Sequence, residues 1–396
     1  MKLIKLSLFI FILLSSACSF NLTETHWRGT TLVFGPDNRP KVENLVEIEQ
    51  IWQEKVSKAY DQDAQGFQIS VENGLIYFAS QQGKLTAVVA ESGEIKWSSD
   101  TKQELSAGVS LGQQLIFSAN TDGQVLAYDK TNGELQWQQQ LTSEVLTSPV
   151  QVNDIVVARS QDGKIVGLKV NSGEPIWQVQ RDLPNLTLRR EVPPTVVGNT
   201  VILGLPTGNL LAINALDGQI LWEIPISVPA GVNEIQRMRD IAGQPIINGS
   251  VIYSNTFQGD VVAIDASKRG VVWQQEIDSF HPMSDDQNNL YIASSESKVI
   301  AIAKDSGDII WTSDELSKQE ISLPTVVGQY LLVFGDEGEA YILDKNTGKI
   351  LGKYNLSRDY QVIGKPIVNS GANPEFYVLS NAGQLYSYRI SVKQPE

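Results

Sequence analysis

The sequence predicts an all-β protein, an eight-bladed β-propeller of four-stranded antiparallel blades whose ring is closed by the N-terminal strand. Three observations predict this fold. A phrase that ends in Trp recurs at intervals of 38 to 51 residues, a glycine turn stands at a fixed place in each phrase, and apolar residues alternate between the turns. Periods of about 40 residues are typical of propellers, in which each repeat forms one blade.

Each repeat opens with Gly-x-apolar-x-Ala and closes with Ser, Asn or Asp followed by Gly and a short run to Trp. The alternation predicts a strand, the Ser-Gly pair provides the positive φ of a tight turn, and the run to Trp predicts an outer strand. We expect the tryptophans to pack between neighbouring blades and to have no catalytic role. They are Trp52, Trp97, Trp137, Trp177, Trp222, Trp273 and Trp311.

The number of blades and the closure of the ring follow from the two ends of the repeat array. Eight openings run from Gly83 to Gly383, seven with Gly and one with Ser297, and the last has no closing phrase behind it. Residues 50–56 contain a closing phrase, around Trp52, with no opening before it. We therefore predict that the N-terminal strand supplies the outer strand of the eighth blade.

The N-terminus has the layout of a secretory signal. Lys2 and Lys5 precede an apolar run and the small residues 15–17, so residues 1–17 are interpreted as a signal peptide. Cys18, the only Cys, follows directly and resembles the acylated Cys of bacterial lipoproteins; this resemblance implies a palmitate-type lipid anchor. Ser19 after it implies retention at the outer membrane. Residues 18–45 are interpreted as the lipidated N-terminus and a tether, and residues 46–392 as the propeller.

Composition argues against several functions. The 31 basic and 45 acidic residues give a net charge of −14, which argues against binding the phosphates of nucleic acid. One Cys excludes an internal disulfide framework and a multi-Cys metal site. With only His26 and His281, no His relay or metal cluster is expected. We therefore expect no enzyme activity, no metal and no cofactor.

Two consecutive connections between blades are longer than the others. From the closing Trp to the next blade's Pro there are 16 residues after Trp177 and 23 after Trp222, against 12 after Trp137. Both connections lead from an outer strand to the next inner strand, so we expect them side by side on one face. Surplus loops on a rigid scaffold are common binding sites.

These two connections carry the candidate partner-binding residues. Leucines alternate with polar residues as in an exposed strand, and arginines cluster beside them in an acidic protein. Apolar anchors next to Arg are typical of binding hot spots. The alternative is that the leucines pack beneath their own loop and the arginines pair with local carboxylates. The candidate residues are Leu186, Leu188, Arg189, Arg190, Arg237, Arg239 and Asp240.

The repeat resembles that of the pyrroloquinoline-quinone dehydrogenases and that of the outer membrane assembly factor BamB family, over residues 46–392. The quinone enzymes are longer chains with Ca²⁺ ligands and often a disulfide of adjacent Cys, whereas this chain has no Cys after Cys18. The single propeller and the lipoprotein-like start favour the BamB family. Members carry Leu-x-Leu-Arg in the first long connection, which Leu186-Thr187-Leu188-Arg189 matches. They carry Asp-x-Asp in the second, of which Asp240 is kept while Ala242 stands at the other position.

This resemblance implies a non-enzymatic scaffold lipoprotein of the outer membrane β-barrel assembly machinery, anchored at the periplasmic face. It further implies three kinds of protein partner: the periplasmic domains of a BamA-type barrel protein, other lipoproteins of the machinery, and nascent outer membrane proteins. The alternatives are an enzyme similar to the quinone-dependent dehydrogenases, or another periplasmic propeller that acts as a sensor or scaffold.

Overall fold

The computed structural model describes most of the chain in two separate units. The first unit is Met1–Pro40 and the second is Lys41–Glu396. In the first, strands β1 (Thr23–Trp27) and β2 (Thr30–Phe34) pair as an antiparallel hairpin. This hairpin lies in the segment interpreted as a tether, and the sequence pattern did not predict it. The described residues are 23–27, 30–34, 42–60, 66–184, 186–188, 192–228, 232–317, 319–356, 361–369 and 374–393.

The described part of the second unit forms the predicted eight-bladed propeller. Eight four-stranded antiparallel sheets follow one another along the chain, and in each the strands run in chain order from the inside outward, except for the outer strand of blade 8. The first four blades comprise β4 (Ser70–Glu72), β5 (Leu75–Ala79), β6 (Lys84–Val89) and β7 (Ile95–Asp100); β8 (Ser110–Leu111), β9 (Leu115–Ala119), β10 (Gln124–Asp129) and β11 (Leu135–Gln140); β12 (Val150–Val152), β13 (Ile155–Arg159), β14 (Lys164–Lys169) and β15 (Pro175–Gln180); and β16 (Thr195–Val197), β17 (Thr200–Gly204), β18 (Asn209–Asn214) and β19 (Ile220–Pro225).

The remaining four blades include the one that closes the ring. Strand β3 is the outer strand of blade 8, where it pairs with β34 from Val46 opposite Val392 to Lys55 opposite Gln384. The predicted closure by the N-terminal strand is thus confirmed. These blades comprise β20 (Ile246–Asn248), β21 (Val251–Asn255), β22 (Asp260–Asp265) and β23 (Gly270–Glu276); β24 (Ser284–Asp285), β25 (Asn289–Ala293), β26 (Val299–Ala303) and β27 (Ile309–Ser313); β28 (Thr325–Val327), β29 (Tyr330–Phe334), β30 (Glu339–Asp344) and β31 (Ile350–Asn355); and β32 (Val362–Asn369), β33 (Glu375–Ser380), β34 (Gln384–Val392) and β3 (Val46–Lys55).

The core consists of apolar clusters that each join neighbouring blades. One cluster, for example, combines Val157 and Ile165 of blade 3 with Val201 and Leu203 of blade 4, and all four are buried. Such contacts make the ring a rigid support for its loops. Among the described residues, no helix is long and apolar enough to cross a bilayer.

The tryptophans pack between blades, as the sequence predicts. The indole of Trp137 donates its Nε1–H to the carbonyl of Val170 in the next blade at 2.7 Å. A Cβ on the turn residue Gly173, which has φ +72°, would lie 2.5 Å from the Trp137 ring, so only glycine fits there. The same packing of an indole on the next blade's turn glycine recurs at Trp52, Trp97, Trp177, Trp273 and Trp311.

Two junctions depart from this arrangement. After Trp222 the turn of blade 5 has the usual length, but Arg269 stands at the glycine position and adopts the left-handed conformation, with φ 54°. In blade 7, Gly352 stands where Trp is due, and the methyl Cγ2 of Val46 lies 3.1 Å from where a Cβ on Gly352 would be. The N-terminal segment therefore fills the space of the missing indole.

This segment is also bonded to the edge of blade 7. The N–H of Leu45 donates to the carbonyl of Leu351 at 2.8 Å. The side chain of Asn44 accepts the N–H of Lys353 at 2.8 Å and donates to the carbonyl of the same residue at 3.2 Å. Residues 44–46 thus lie along β31 before the chain enters blade 8.

Candidate functional site

The two long connections begin on the same face of the ring, which we call the long-loop face. The first runs from residue 181 to residue 194 and the second from residue 226 to residue 245. The N–H of Arg181 donates to the carbonyl of Gly163 at 3.0 Å, and that of Ile226 to the carbonyl of Gly208 at 2.9 Å. Both acceptors belong to the hairpins between the second and third strands of blades 3 and 4. The predicted side-by-side placement is therefore observed.

A hydrogen bond from the first connection to the second joins the two. The carboxylate Oδ1 of Asp240 accepts the backbone N–H of Leu188 at 3.0 Å. Asp240 is buried, and its own carbonyl accepts the N–H of Phe257 in the hairpin of blade 5 at 2.8 Å. Ala242, at the position where the family pattern has a second Asp, is also buried, and its N–H donates to the carbonyl of Asn255. Asp240 therefore holds the first connection against blade 5.

The leucines of the first connection differ in exposure. Leu186 is 40% exposed, whereas Leu188 is partly buried. The exposure of Leu186 disfavours the alternative in which this side chain packs beneath its own loop. Arg189 and Arg190 lie outside the described residues.

The second connection contains a short capped helix, α1 (Glu234–Arg237), which has no buried residue. The Oδ1 of Asn233 accepts the N–H of Gln236 at 2.9 Å, and the Oε1 of Gln236 accepts the N–H of Val232 at 3.0 Å. This arrangement resembles a capping box, except that Gln236 accepts the N–H of the residue before the N-cap; its Asn-x-x-Gln pattern was readable in the sequence. The helix exposes Ile235, which is 60% exposed and which sequence reasoning did not select.

The two arginines of the second connection occupy different environments. Arg237, in the last turn of α1, is exposed. Arg239 is buried, and its guanidinium donates to the carbonyls of Gln236 at 2.9 Å and Met238 at 2.8 Å. Arg239 therefore fixes the shape of its own loop, and Arg237 is the more accessible of the two.

A groove of about 540 Å³ borders the first connection on the long-loop face. Arg181, in its wall, places its Nε 3.1 Å from a carboxylate oxygen of Glu223. Burial opposes ionisation of Asp162, but hydrogen bonds from Ser160 and Thr142 outweigh it and lower its pKa. The groove is open, and most of its lining residues are polar or charged. Its lining residues are Ser143, Glu144, Gln161, Asp162, Gln180, Arg181, Asp182, Leu183, Pro184, Thr187 and Pro206. Within the described part of the chain, no group of three or more His, Cys, Asp or Glu residues is arranged to hold a metal ion.

One family pattern and two relatives of similar sequence carry the same name. The pattern of the family described as outer membrane protein assembly factor BamB matches residues 81–313. The chain is 45% identical over 345 residues to outer membrane protein assembly factor BamB of Alkalilimnicola ehrlichii, covering 87% of this chain and 89% of that relative. It is 40% identical over 321 residues to the protein of the same name from Pseudomonas aeruginosa, covering 81% and 83% respectively.

Solved structures show the same fold. BamB from Moraxella catarrhalis aligns with a TM-score of 0.76 at 22% identity, over 87% of this chain and all of that one. The quinohemoprotein alcohol dehydrogenase of Comamonas testosteroni aligns with a TM-score of 0.67 at 12% identity, over 88% of this chain and 78% of that one. At these identities the likeness concerns the propeller architecture alone.

Proposed function

The chain belongs to the family of outer membrane protein assembly factor BamB, and from this we propose that it is a non-enzymatic scaffold for the assembly of outer membrane β-barrel proteins. The family consists of assembly factors of the outer membrane rather than enzymes. Membership supports a role within the β-barrel assembly machinery. Attachment to the periplasmic face through a lipid on Cys18 is part of the proposal, and Cys18 lies outside the described residues.

We propose that the long-loop face binds the periplasmic domains of a BamA-type barrel protein. The hydrogen bond from Leu188 to Asp240 carries this proposal, because it joins the two long connections into one surface. Leu186 offers an exposed apolar anchor on that surface, and Arg237 an exposed cation. Buried Arg239 and Asp240 hold the loops in place, and Arg189 and Arg190 add positive charge next to the leucines.

The proposed mechanism is non-covalent. An apolar side chain that enters a pocket of the partner, surrounded by guanidinium groups, is the usual composition of a binding hot spot. A preformed loop loses less conformational entropy on binding than a flexible one does. The scaffold thereby keeps the barrel protein close to the other lipoproteins of the machinery and to the nascent chains that it folds and inserts.

Capture of the barrel partner tests this function. The purified full-length protein, with Leu186, Leu188 and Arg189 changed together to Ala, should capture the partner's periplasmic domains at least about tenfold less than wild type. A matched control changes Ile95, Leu135 and Lys96 to Ala, which removes two exposed apolar side chains and one cation from the outer strands of blades 1 and 2. Equal capture by the triple variant and wild type would overturn the site.

A further inference from the structure

Two neighbouring outer strands expose a pair of apolar residues immediately before their Trp. In β23 of blade 5, Val271 and Val272 are 52% and 51% exposed, and in β27 of blade 6, Ile309 and Ile310 are both 48% exposed. The second member of each pair is a β-bulge residue, inserted where the strand register shifts. Both pairs lie near the start of the outer strand, beside the turn that joins it to the third strand. This end of the blades is opposite to the long-loop face.

At this register the first four blades each have a polar residue, a proline or a carbonyl that is already bonded. Blade 1 has Lys96, blade 2 has Gln136, and the outer strand of blade 3 begins with Pro175. In blade 4, the carbonyl of Leu221 accepts a hydrogen bond from the guanidinium of Arg269 at 3.2 Å. Lysine and proline on edge strands discourage pairing with further strands. Strands β23 and β27 contain neither residue, and they have an apolar residue where blade 2 has Gln136. Among the described residues no strand pairs with their outer edges, which are therefore available for pairing.

In blade 7 the outer strand carries a similar apolar pair, and a segment of the chain itself lies along its edge. Ile350 and Leu351 of β31 occupy the same register, with Leu351 as the bulge residue. Here Ile350 is buried, and residues 44–46 lie along the edge through the backbone bond from Leu45 to Leu351 and the two side-chain bonds of Asn44. In blade 7 an extended segment of the chain itself is therefore bonded along the edge that carries the apolar pair.

We propose that the outer edges of β23 and β27 bind an extended segment of an unfolded outer membrane β-barrel protein, as β31 binds residues 44–46. The class of client rests on the proposed function. Strands of such barrels alternate apolar and polar residues. One side of the segment covers the apolar pair while the other faces water, and the backbone bonds do not depend on the client's sequence.

Peptide binding to the full-length protein tests the proposal. The probe is a labelled peptide of about ten residues with strictly alternating apolar and polar residues, the length of a barrel strand. A second probe has the same sequence with every other backbone nitrogen methylated, which removes the N–H donors of one edge. We expect wild type to bind the first probe in fluorescence anisotropy and to bind the second at least about tenfold more weakly, because edge pairing depends on backbone donors. Equal binding of the two probes overturns the proposal.

A double variant, Val272→Lys with Ile310→Gln, tests the location. It introduces the residue types that blades 1 and 2 carry at this register, so the propeller tolerates them. We expect this variant to lose at least about tenfold in affinity for the first probe, since one apolar residue of each pair is replaced by a polar one. The control exchanges the two polar residues, Lys96→Gln with Gln136→Lys, and should bind as wild type does. Unchanged affinity of the double variant overturns the location.

The outcome is separable from that of the proposed function. The double variant leaves the long-loop face intact, so it should capture the partner's periplasmic domains as well as wild type does. Failure of wild type to capture those domains would refute the proposed function. Peptide binding at the edges of β23 and β27 would not be affected by that result. Capture without peptide binding would refute only the edge proposal.

Discussion

Replacing Asp240 by Ala should detach the first long connection from blade 5. The change removes the acceptor of the Leu188 N–H, 3.0 Å away, at a buried carboxylate. A hydrogen bond to a charged group contributes about 1.5–3 kcal/mol. About 1.4 kcal/mol corresponds to a factor of ten. The equilibrium constant between the first connection held against blade 5 and the same connection detached from it should therefore fall by a factor of about 10 to 150.

Hydrogen exchange measures this change directly. The Leu188 amide should lose protection by up to the same factor in Asp240→Ala, while amides of the blade strands keep theirs. Asp240→Asn retains a side-chain oxygen as acceptor and should lose less, since a neutral hydrogen bond contributes about 0.5–1.5 kcal/mol. Affinity for the partner's periplasmic domains should fall in the same order, because a binding-competent loop that is less populated lowers the apparent affinity.

The reasoning fails if the Leu188 amide exchanges as slowly in Asp240→Ala as in wild type. It also fails if the Asn and Ala variants lose equal protection, because the acceptor oxygen would then contribute nothing. Circular dichroism of each variant provides the control that the propeller itself is intact. Ala242 is buried, so Ala242→Asp would place a carboxylate in the interior, and we expect it to destabilise the loop rather than strengthen the site.

Three further predictions concern stability. Trp137→Phe removes the indole N–H that donates to a carbonyl of the next blade, and it should destabilise the protein by about 1–3 kcal/mol in chemical unfolding. The indole N–H of Trp222 makes no hydrogen bond within the described residues, so Trp222→Phe should destabilise the protein less. Gly133→Ala and Gly74→Ala both place Ala at φ 73°, which should lower the free energy of unfolding by about 1–2 kcal/mol in each case. Only at Gly133 would the new Cβ also meet an indole ring, at 2.5 Å, so this variant should lose more stability. Equal losses of stability in the two variants would contradict the interblade packing. Burial and neighbouring glutamates raise the pKa of Asp336 to about 6. The contribution of this carboxyl to stability is therefore fully present below about pH 4 and is lost as the pH rises through about 6. Asp336→Asn should accordingly stabilise the protein by the order of 1 kcal/mol at about pH 7, after solvent screening, and should have little effect near pH 4.

The ring was predictable because its signals are local and repeated. Blades 1 to 6 each carry their own alternation, turn and Trp, and the surplus closing phrase around Trp52 indicated where the ring joins. Gly352 carried no such signal. It stands in place of Trp because Val46, far away in the sequence, occupies the space, and only the folded ring brings the two together.

The candidate site was predictable in position but not in the function of each side chain. Loop lengths identified the two connections, and composition singled out their arginines. Composition does not separate buried Arg239, which bonds to its own loop, from exposed Arg237, because burial depends on how the loop folds back. The bond between Asp240 and Leu188 likewise depends on the approach of two loops that are independent in sequence.

The closure of blade 8 has a consequence for when the protein can finish folding. Strand β3 is among the first parts of the propeller to be synthesised, and its partner β34 is the last. During synthesis the early strand must therefore remain without this partner until the last strand has been made. Contacts of such large sequence separation form slowly. The ring therefore locks only after every blade has been synthesised, and a truncation that removes β34 leaves the outer strand of blade 8 without its partner.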